Sequence, residues 1–296
     1  MTQRLLGVIG DPIEHSLSPR LHKFVLRNLS LASEYEYRAF RVAPDELSDF
    51  VRRAGSQSIV GLNVTIPHKQ AVLQYLDELD LGAEKIGAVN TIVFNQGKLK
   101  GYNTDGAGFV RAARTNGVAL NASKVVMLGA GGAAKAVAFA LAETGAAQLS
   151  IYNRSIERAL ELKAQLLEKT RLSTICVHRL DDRECLCDDL SRSTLLINTT
   201  SIGMHPRFSE SPLVIPEALH SGLTVFDLIY NPGETELMRQ AQHRGARAVN
   251  GLEMLIYQGL EALCLWLRQE EFSKLEEKIS LLHLKNELNE TLGVPV

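Results

Sequence analysis

The stretch "KVVMLGAGGAAKAVAFALAETG", residues 124–145, constrains this 296-residue chain more than any other. An apolar run meets Gly129-Ala130-Gly131-Gly132-Ala133-Ala134 and continues as a small-residue helical pattern. A buried strand that turns tightly into a helix belongs to a parallel sheet covered by helices. The following sequence repeats the theme. "QLSIYN", "SIERALELKAQLLEK", "TLLINTT", "LTVFDLIY", "ETELMRQAQHRG" and "ARAVNG" read in turn as strand, helix, strand, strand, helix and strand. The glycines fit G-x-G-x-x-G/A in the context a dinucleotide site requires. Gly129 serves the tight turn, and Gly131 lets a pyrophosphate approach the backbone. Ala134 keeps helix and strand close. Ala130, Gly132 and Ala133 complete a loop at a helix N-terminus, where free N–H groups favour phosphate. The competing reading is a glycine-rich structural turn.

The next strand ends in "IYNRSIER". A coenzyme with a free ribose 2′-hydroxyl usually meets an acid about twenty residues past the glycines. Asn153 stands there instead, followed by Arg154, Ser155 and Arg158. Two guanidinium groups can clasp a 2′-phosphate, so NADP is expected over NAD. Alternatively, the arginines are helix-surface residues paired with Glu157 or Glu161.

The first hundred residues are organised differently. "LLGVIG", "YEYRAFRV" and "SIVGLNVTIP" read as strands, with a helix from about Ser18 to Leu29. "HKQAVLQYLDEL" has helical spacing, placing Val72, Tyr75, Leu76 and Leu79 on one face. "AVNTIVFNQGKLKGYNTDG" reads as a hairpin turning at Asn95-Gln96-Gly97. After Gly251 the chain turns helical, and its tail from Glu270 reads as a solvated helix, a dimer contact or a partly disordered segment. The expected fold class is α/β with two domains. The texture changes near Asp105 and again after Gly251, which sets 105–250 apart as a Rossmann-like dinucleotide-binding domain from an α/β domain in 1–104 and the helical segment 251–296.

Composition narrows the partners. A net charge of −2 leaves no broad basic surface for nucleic acid. The most apolar stretch is broken by glycines and Lys135, so no membrane span is expected, and the N-terminal apolar run is too short for a signal peptide. Cys176, Cys185, Cys187 and Cys264 make no disulfide framework, which suits a reduced cytoplasmic setting. No metal site is expected, because Cys185-Leu186-Cys187 lacks a second ligand pair.

Three polar blocks carry the chemistry. In "HSLSP", Ser16 and Ser18 would share one side of an extended segment, with Pro19 helping to hold the backbone. "NVTIPHK" ends a strand in Asn63, Thr65 and Lys69, and "GYNTDG" offers Asp105 just before the glycine-turn domain. A nicotinamide enzyme that reduces a ketone must protonate the new alkoxide. A lysine beside an aspartate fits, each charge supporting the other. Taken singly, Lys69 reads equally as a solvated helix start and Asp105 as a helix cap.

These blocks, with "GAVNT", "GAGGAAKA", "NRSIER", "NTTSIGM", "DLIYNP" and "GLEMLIYQ", occur in an order that resembles the shikimate dehydrogenase family over essentially the whole chain. The resemblance implies a substrate domain of residues 1–104 plus 251–296, completed by C-terminal helices, and NADP-dependent, reversible reduction of 3-dehydroshikimate to shikimate at a cleft between the domains. It implies that Ser16 and Ser18 bind the shikimate carboxylate and that Asn63, Thr65, Asn90 and Asp105 hold ring hydroxyls. It makes Lys69 and Asp105 the catalytic pair, with Tyr230 and Gln258 reaching the substrate. Thr199 and Ser201 would lie near the coenzyme, and Gly251 and Met254 would line the nicotinamide region. His15 and His22 are structural in this pattern, and His68 points away from the chemistry. Ser155 replaces the threonine common in "NRT", Lys23 stands where asparagine is frequent, and the tail is longer. The rival activities are a quinate or dual quinate/shikimate dehydrogenase using NAD or NADP, and a non-catalytic NADP-binding sensor. A monomer or homodimer is expected.

Overall fold

The structure, a computed structural model, describes residues 3–54, 58–268 and 278–292. It divides into two compact units, Met1–Gly108 with Ile256–Val296, and Phe109–Leu255.

The first unit runs β1 (Arg4–Gly10), α1 (Ser18–Asn28), β2 (Tyr35–Arg41), α2 (Leu47–Ala54), β3 (Ile59–Val64), α3 (His68–Ala71), β4 (Glu78–Leu79), α4 (Leu81–Ile86), β5 (Thr91–Asn95) and β6 (Lys98–Tyr102). Its sheet has the order β2-β1-β3-β5-β6-β4. The β1 strand pairs in parallel with both β2 and β3, and the β5–β6 hairpin is antiparallel. Ile9, Leu62, Val64 and Ile92 are buried in its core with Val51 and Ala83 from two helices. The hairpin turns where expected. Gln96 and Gly97 both have positive φ, 50° and 79°, the pair that matches strand twist in a two-residue turn.

Two local expectations for this unit are corrected. Residues 68–79 are not one helix. After α3 comes a 3₁₀ turn, Val72–Tyr75, and then the two-residue strand β4. The edge of β6 captures the backbone here. Asp77 N–H donates to Leu99 O at 3.0 Å, and the Asp77 carboxylate accepts Leu99 N–H at 2.7 Å. Apolar spacing still has Val72 fully buried and Leu76 and Leu79 packed on the core, but strand pairing overrides helix continuation. The "HSLSP" segment is not extended either. Leu17 is helical in φ/ψ, α1 begins at Ser18, and Pro19 sits in the first turn, where its missing N–H costs nothing.

In the second unit α5 (Asp105–Thr115) leads into β7 (Lys124–Leu128), α6 (Gly132–Glu143), β8 (Gln148–Asn153), α7 (Ile156–Lys169), β9 (Ile175–Arg179), α8 (Arg183–Arg192), β10 (Leu195–Asn198), β11 (Thr224–Asp227), α9 (Glu236–His243) and β12 (Arg247–Val249). The sheet is parallel, in the order β12-β11-β10-β7-β8-β9. That is the doubly wound order 3-2-1-4-5-6 read from the far edge, and the reversal falls between β7 and β10. Strands buried on both faces explain apolar runs such as "VVML". The sequence reading had not singled out β9 and α8.

Finally, α10 (Leu252–Leu267) and α11 (Leu281–Leu292) close the chain. Leu284 and Leu288, one helical turn apart, are fully buried, and Arg20 of α1 donates to Glu287 at 3.2 Å. This part of the tail is a helix packed on its own unit. Residues 269–277, where the expected tail begins, lie outside the described residues.

Candidate active site

The parallel strands β1 and β3 end at the same edge of the first sheet, with Ile9 opposite Val64. Asp11 N–H donates to Ile66 O at 3.0 Å, so the chain leaving β1 runs beside the chain leaving β3. One exit carries Ser16 and Ser18, the other Thr65 and Lys69. Ser16 Oγ accepts the Ser18 N–H at 3.3 Å in a tight serine turn, and Ser18 is buried at the helix start.

Asn90, 2 % exposed, is the hub of the polar cluster. Its oxygen accepts Thr104 N–H at 2.8 Å and Thr91 Oγ1–H at 3.0 Å. Its amide nitrogen lies 2.9 Å from Asp105 Oδ1, 2.9 Å from Thr104 Oγ1 and 3.1 Å from Gln258 Oε1. Thr104 Oγ1 donates to Gln258 O at 3.0 Å, which ties α10 to the same cluster. Asp105 begins α5, where a carboxylate suits the helix dipole, and its N–H donates to Asn103 Oδ1 at 3.1 Å. Lys69 Nζ donates to Asp105 Oδ2 at 2.5 Å, with the side chains 15 % and 5 % exposed. Both Asp105 oxygens are therefore engaged. Lys69 has three N–H donors, and Asp105 is its one partner among the described residues. Two donors remain for a ligand oxygen.

Asn63 is more committed than the sequence suggests. Its oxygen accepts the Tyr37 hydroxyl at 2.7 Å, so its amide N–H is what it can offer. Tyr37 had not been singled out. It is fully buried and stacks on His22 at 4.3 Å. His22 is itself fully buried, and burial pushes its imidazole down to about 3, so it is neutral. His68 donates Nε2–H to Val42 O at 2.7 Å, away from Lys69.

In the second unit Gly129 has φ +110°, and a Cβ there would strike Thr199 Oγ1. Thr199 donates that hydroxyl to Leu128 O at 2.7 Å, so it buttresses the turn. Among the described residues, and leaving aside its immediate chain neighbours, a Cβ at Gly131 would meet nothing within 4 Å. Packing does not demand glycine there. The open space lies over the first turn of α6, which is what a pyrophosphate site needs. Ala130 and Ala134 are buried beside it.

At the end of β8, Asn153 donates to Ser155 O at 2.7 Å and Ser155 Oγ–H donates to Glu157 at 2.8 Å. Arg154 and Arg158 are exposed, and neither forms an ion pair with Glu157 or Glu161. Two guanidinium groups with no ion pair among the described residues, and no carboxylate at Asn153, fit a 2′-phosphate. Arg179, which the sequence reading passed over, stands in register with Asn153 on β9.

The remaining expected residues lie in loops after β10 and β11 and at the start of α10. Ser201 Oγ accepts from Arg207 at 3.2 Å, and Tyr230 is half-buried. Gly251 is held against Leu228, whose carbonyl a Cβ would overlap, so packing alone explains this glycine. Met254 is 7 % exposed. A buried acid links these loops. Asp227 accepts Asn198 Nδ2–H at 2.9 Å, Ile229 N–H at 3.1 Å and Thr235 Oγ1–H at 2.7 Å. Burial pushes its carboxyl up to about 6 despite these bonds.

Residues 8–92 match the family profile described as the shikimate dehydrogenase substrate binding domain, and residues 111–209 match that of shikimate / quinate 5-dehydrogenase. The chain is 45 % identical to a shikimate dehydrogenase (NADP(+)) of Methanopyrus kandleri, over 95 % of this chain and 96 % of the relative. This chain belongs to the shikimate dehydrogenase family. A shikimate dehydrogenase solved in complex with NADP+ superposes with TM-score 0.86 at 39 % identity, covering 98 % of this chain and 96 % of the other. The shikimate 5-dehydrogenase of Listeria monocytogenes, solved with shikimate and NAD, gives TM-score 0.81 at 35 % identity, covering 93 % and 96 %. The first profile spans Ser16, Ser18, Asn63, Thr65, Lys69 and Asn90. The second spans the glycine turn, the arginines, Thr199 and Ser201. Asp105 lies between the two segments, and Tyr230, Gly251, Met254 and Gln258 lie beyond them.

Proposed function

We propose that Lys69 and Asp105 are the acid–base pair of an NADP-dependent dehydrogenase that interconverts 3-dehydroshikimate and shikimate. The carrying observation is the half-buried ammonium that Asp105 holds at 2.5 Å with two donors to spare. Bound NADPH supplies the hydride. Lys69 gives a proton from Nζ to the oxygen that becomes the hydroxyl, and is then reprotonated from solvent. In the reverse direction the neutral amine takes that proton back. Asp105 has both oxygens engaged and holds the ammonium in place. The proton therefore passes through the lysine. Asn90 holds Asp105 Oδ1 and is itself held by Thr104 and Gln258.

Ser16 and Ser18 receive the ring carboxylate, each bond to the anion contributing about 1.5–3 kcal/mol. Asn63, Thr65 and Asn90 hold ring hydroxyls, with Tyr230 and Gln258 beside the ring. Residues 1–104 with 251–296 act as the substrate domain and 105–250 as the coenzyme domain. Gly129 to Ala133 hold the pyrophosphate, with Arg154, Ser155 and Arg158 around the 2′-phosphate and Asn153 on the ribose. Thr199 supports the glycine turn. Ser201, Gly251 and Met254 line the nicotinamide end.

The setting is cytoplasmic and reducing, which four cysteines without the spacing of a disulfide framework support. Among the described residues no helix is long and apolar enough to cross a membrane. The chain acts as a monomer or homodimer.

Initial rates followed at the nicotinamide absorbance band, with shikimate or quinate and NADP or NAD, test the assignment. Shikimate with NADP is expected to give the highest kcat/KM. A quinate or NAD preference would replace it with the rival dehydrogenase, and no turnover with any pair would leave only a coenzyme-binding protein.

A further inference from the structure

One cluster of ligating side chains lies outside this chemistry. His178 near the end of β9 and Asp182 and Cys185 at the start of α8 each present a ligand atom, and these atoms lie within 4.8 Å of one another. We propose that they bind a divalent transition-metal ion, zinc(II) foremost, which fastens β9 to α8.

The geometry is close to what such an ion needs. Tetrahedral zinc with bonds of about 2.0–2.3 Å sets its ligand atoms roughly 3.3–3.8 Å apart. His178 Nδ1 is already 3.8 Å from Asp182 Oδ2. Asp182 caps α8, its Oδ1 accepting the Cys185 N–H at 3.2 Å, so the carboxylate is fixed by one oxygen and the other faces the histidine. The imidazole also has neighbours beyond the cluster. It stacks on Tyr152 with centroids 5.1 Å apart, and Nε2 lies 3.9 Å from Asp189 Oδ2. That carboxylate is 9 % exposed and accepts the Tyr152 hydroxyl at 2.7 Å. At 3.9 Å the approach of Nε2 to Asp189 is not yet a hydrogen bond, and a small turn of the ring on metal binding would make it the carboxylate contact that orients ligating histidines. Thiolate, imidazole and a single carboxylate together favour zinc or cobalt over magnesium or calcium. Three protein ligands leave one position for water.

The site is separate from the 2′-phosphate residues. Tyr152 pairs with His178 and Asn153 with Arg179 across β8 and β9. Alternation along the strands therefore sends the Tyr152–His178 pair to one face of the sheet and Asn153 and Arg179 to the other.

The test uses the full chain, kept reduced, freed of metal by a chelator and titrated with cobalt(II), then zinc(II). Expected is one cobalt per chain with visible ligand-field bands and a thiolate charge-transfer band, displaced by zinc and unaffected by millimolar magnesium. C185S should abolish the charge-transfer band, and H178Q should weaken zinc binding at least tenfold. D189N should keep the band while lowering affinity about 10–100-fold. C187S, which alters the neighbouring exposed thiol, should change nothing. Circular dichroism of the metal-free variants checks that each is folded, and C185S alone suffices if H178Q is not. Absence of the band in the wild type, its survival in C185S or its loss in C187S overturns the proposal.

Discussion

Replacing Lys69 by methionine removes the ammonium and keeps most of the side-chain volume. A general acid contributes about 10²–10⁴ in rate, or roughly 3–5 kcal/mol of barrier. K69M should lower kcat by that factor in both directions. The KM for shikimate should change little, because in the proposed arrangement other groups hold most of the ring. The same change strands a carboxylate that is 5 % exposed. Breaking a buried pair costs about 3–5 kcal/mol. Asn90 still donates to Oδ1, and the pair sits at a rim where Lys69 is 15 % exposed, so about 2–3 kcal/mol is the better figure. For a unit of this size that is a fall in Tm of about 5–10 °C. K69M/D105N removes both charges. It should recover most of the lost stability while remaining as inactive as K69M, which separates catalysis from folding. Steady-state kinetics and thermal melts on the wild type and both variants decide the matter. K69M with kcat within about threefold of wild type, or a fully active K69M/D105N, would refute the reasoning. A rise in KM at unchanged kcat would reduce Lys69 to uniform binding.

Other consequences follow from the coenzyme unit and from two buried titratable groups. R154S/R158S should raise the KM for NADP about 10–100-fold and leave that for NAD within about threefold, since the proposal places both guanidinium groups on the 2′-phosphate alone. G129A, at φ +110° and against Thr199, should destabilise by about 1–3 kcal/mol. G131A, facing open space, should alter stability by less than about 0.5 kcal/mol yet weaken NADP binding. Asp227 holds a proton up to pH about 6, against an ordinary 3.8, so the folded state loses stability as pH rises through that window, by about 3 kcal/mol in all. Urea melts between pH 4 and 7 should show D227N without this loss. His22 has the opposite sign. Its imidazole is held at about 3, so the unfolded chain gains a proton below the ordinary 6.5 and stability falls on acidification, by about 2 kcal/mol at pH 5. H22F should flatten that acid limb.

Much of the coenzyme unit was legible because its signals are local. The run "VVML", the glycines and the small residues of α6 each dictate the conformation of their own few residues, and the structure has β7, the turn and α6 in those places. The turn at Gln96-Gly97 was legible for the same reason. Lys69 and Asp105 could be singled out by residue type, but only the fold puts their side chains 2.5 Å apart. What escaped the reading depends on pairing between distant segments. Asn90 becomes a hub because β5, α5 and α10 converge on one amide. Tyr37 matters through β2 and β3, and Asp227 through Asn198 and Thr235. The helix expected over 68–79 failed because the edge of β6 offered the backbone a better partner. The cluster at His178, Asp182 and Cys185 follows no familiar cysteine spacing, since a strand end and a helix cap bring its members together.

The most direct measurement is a crystal structure of the complex with shikimate and NADP+. The account predicts Lys69 Nζ within about 2.7–3.2 Å of the hydroxyl oxygen on the carbon that faces the nicotinamide, with Asp105 still bonded to Nζ. A lysine turned toward the ring carboxylate, or lying beyond about 5 Å with another side chain on that oxygen, would contradict it.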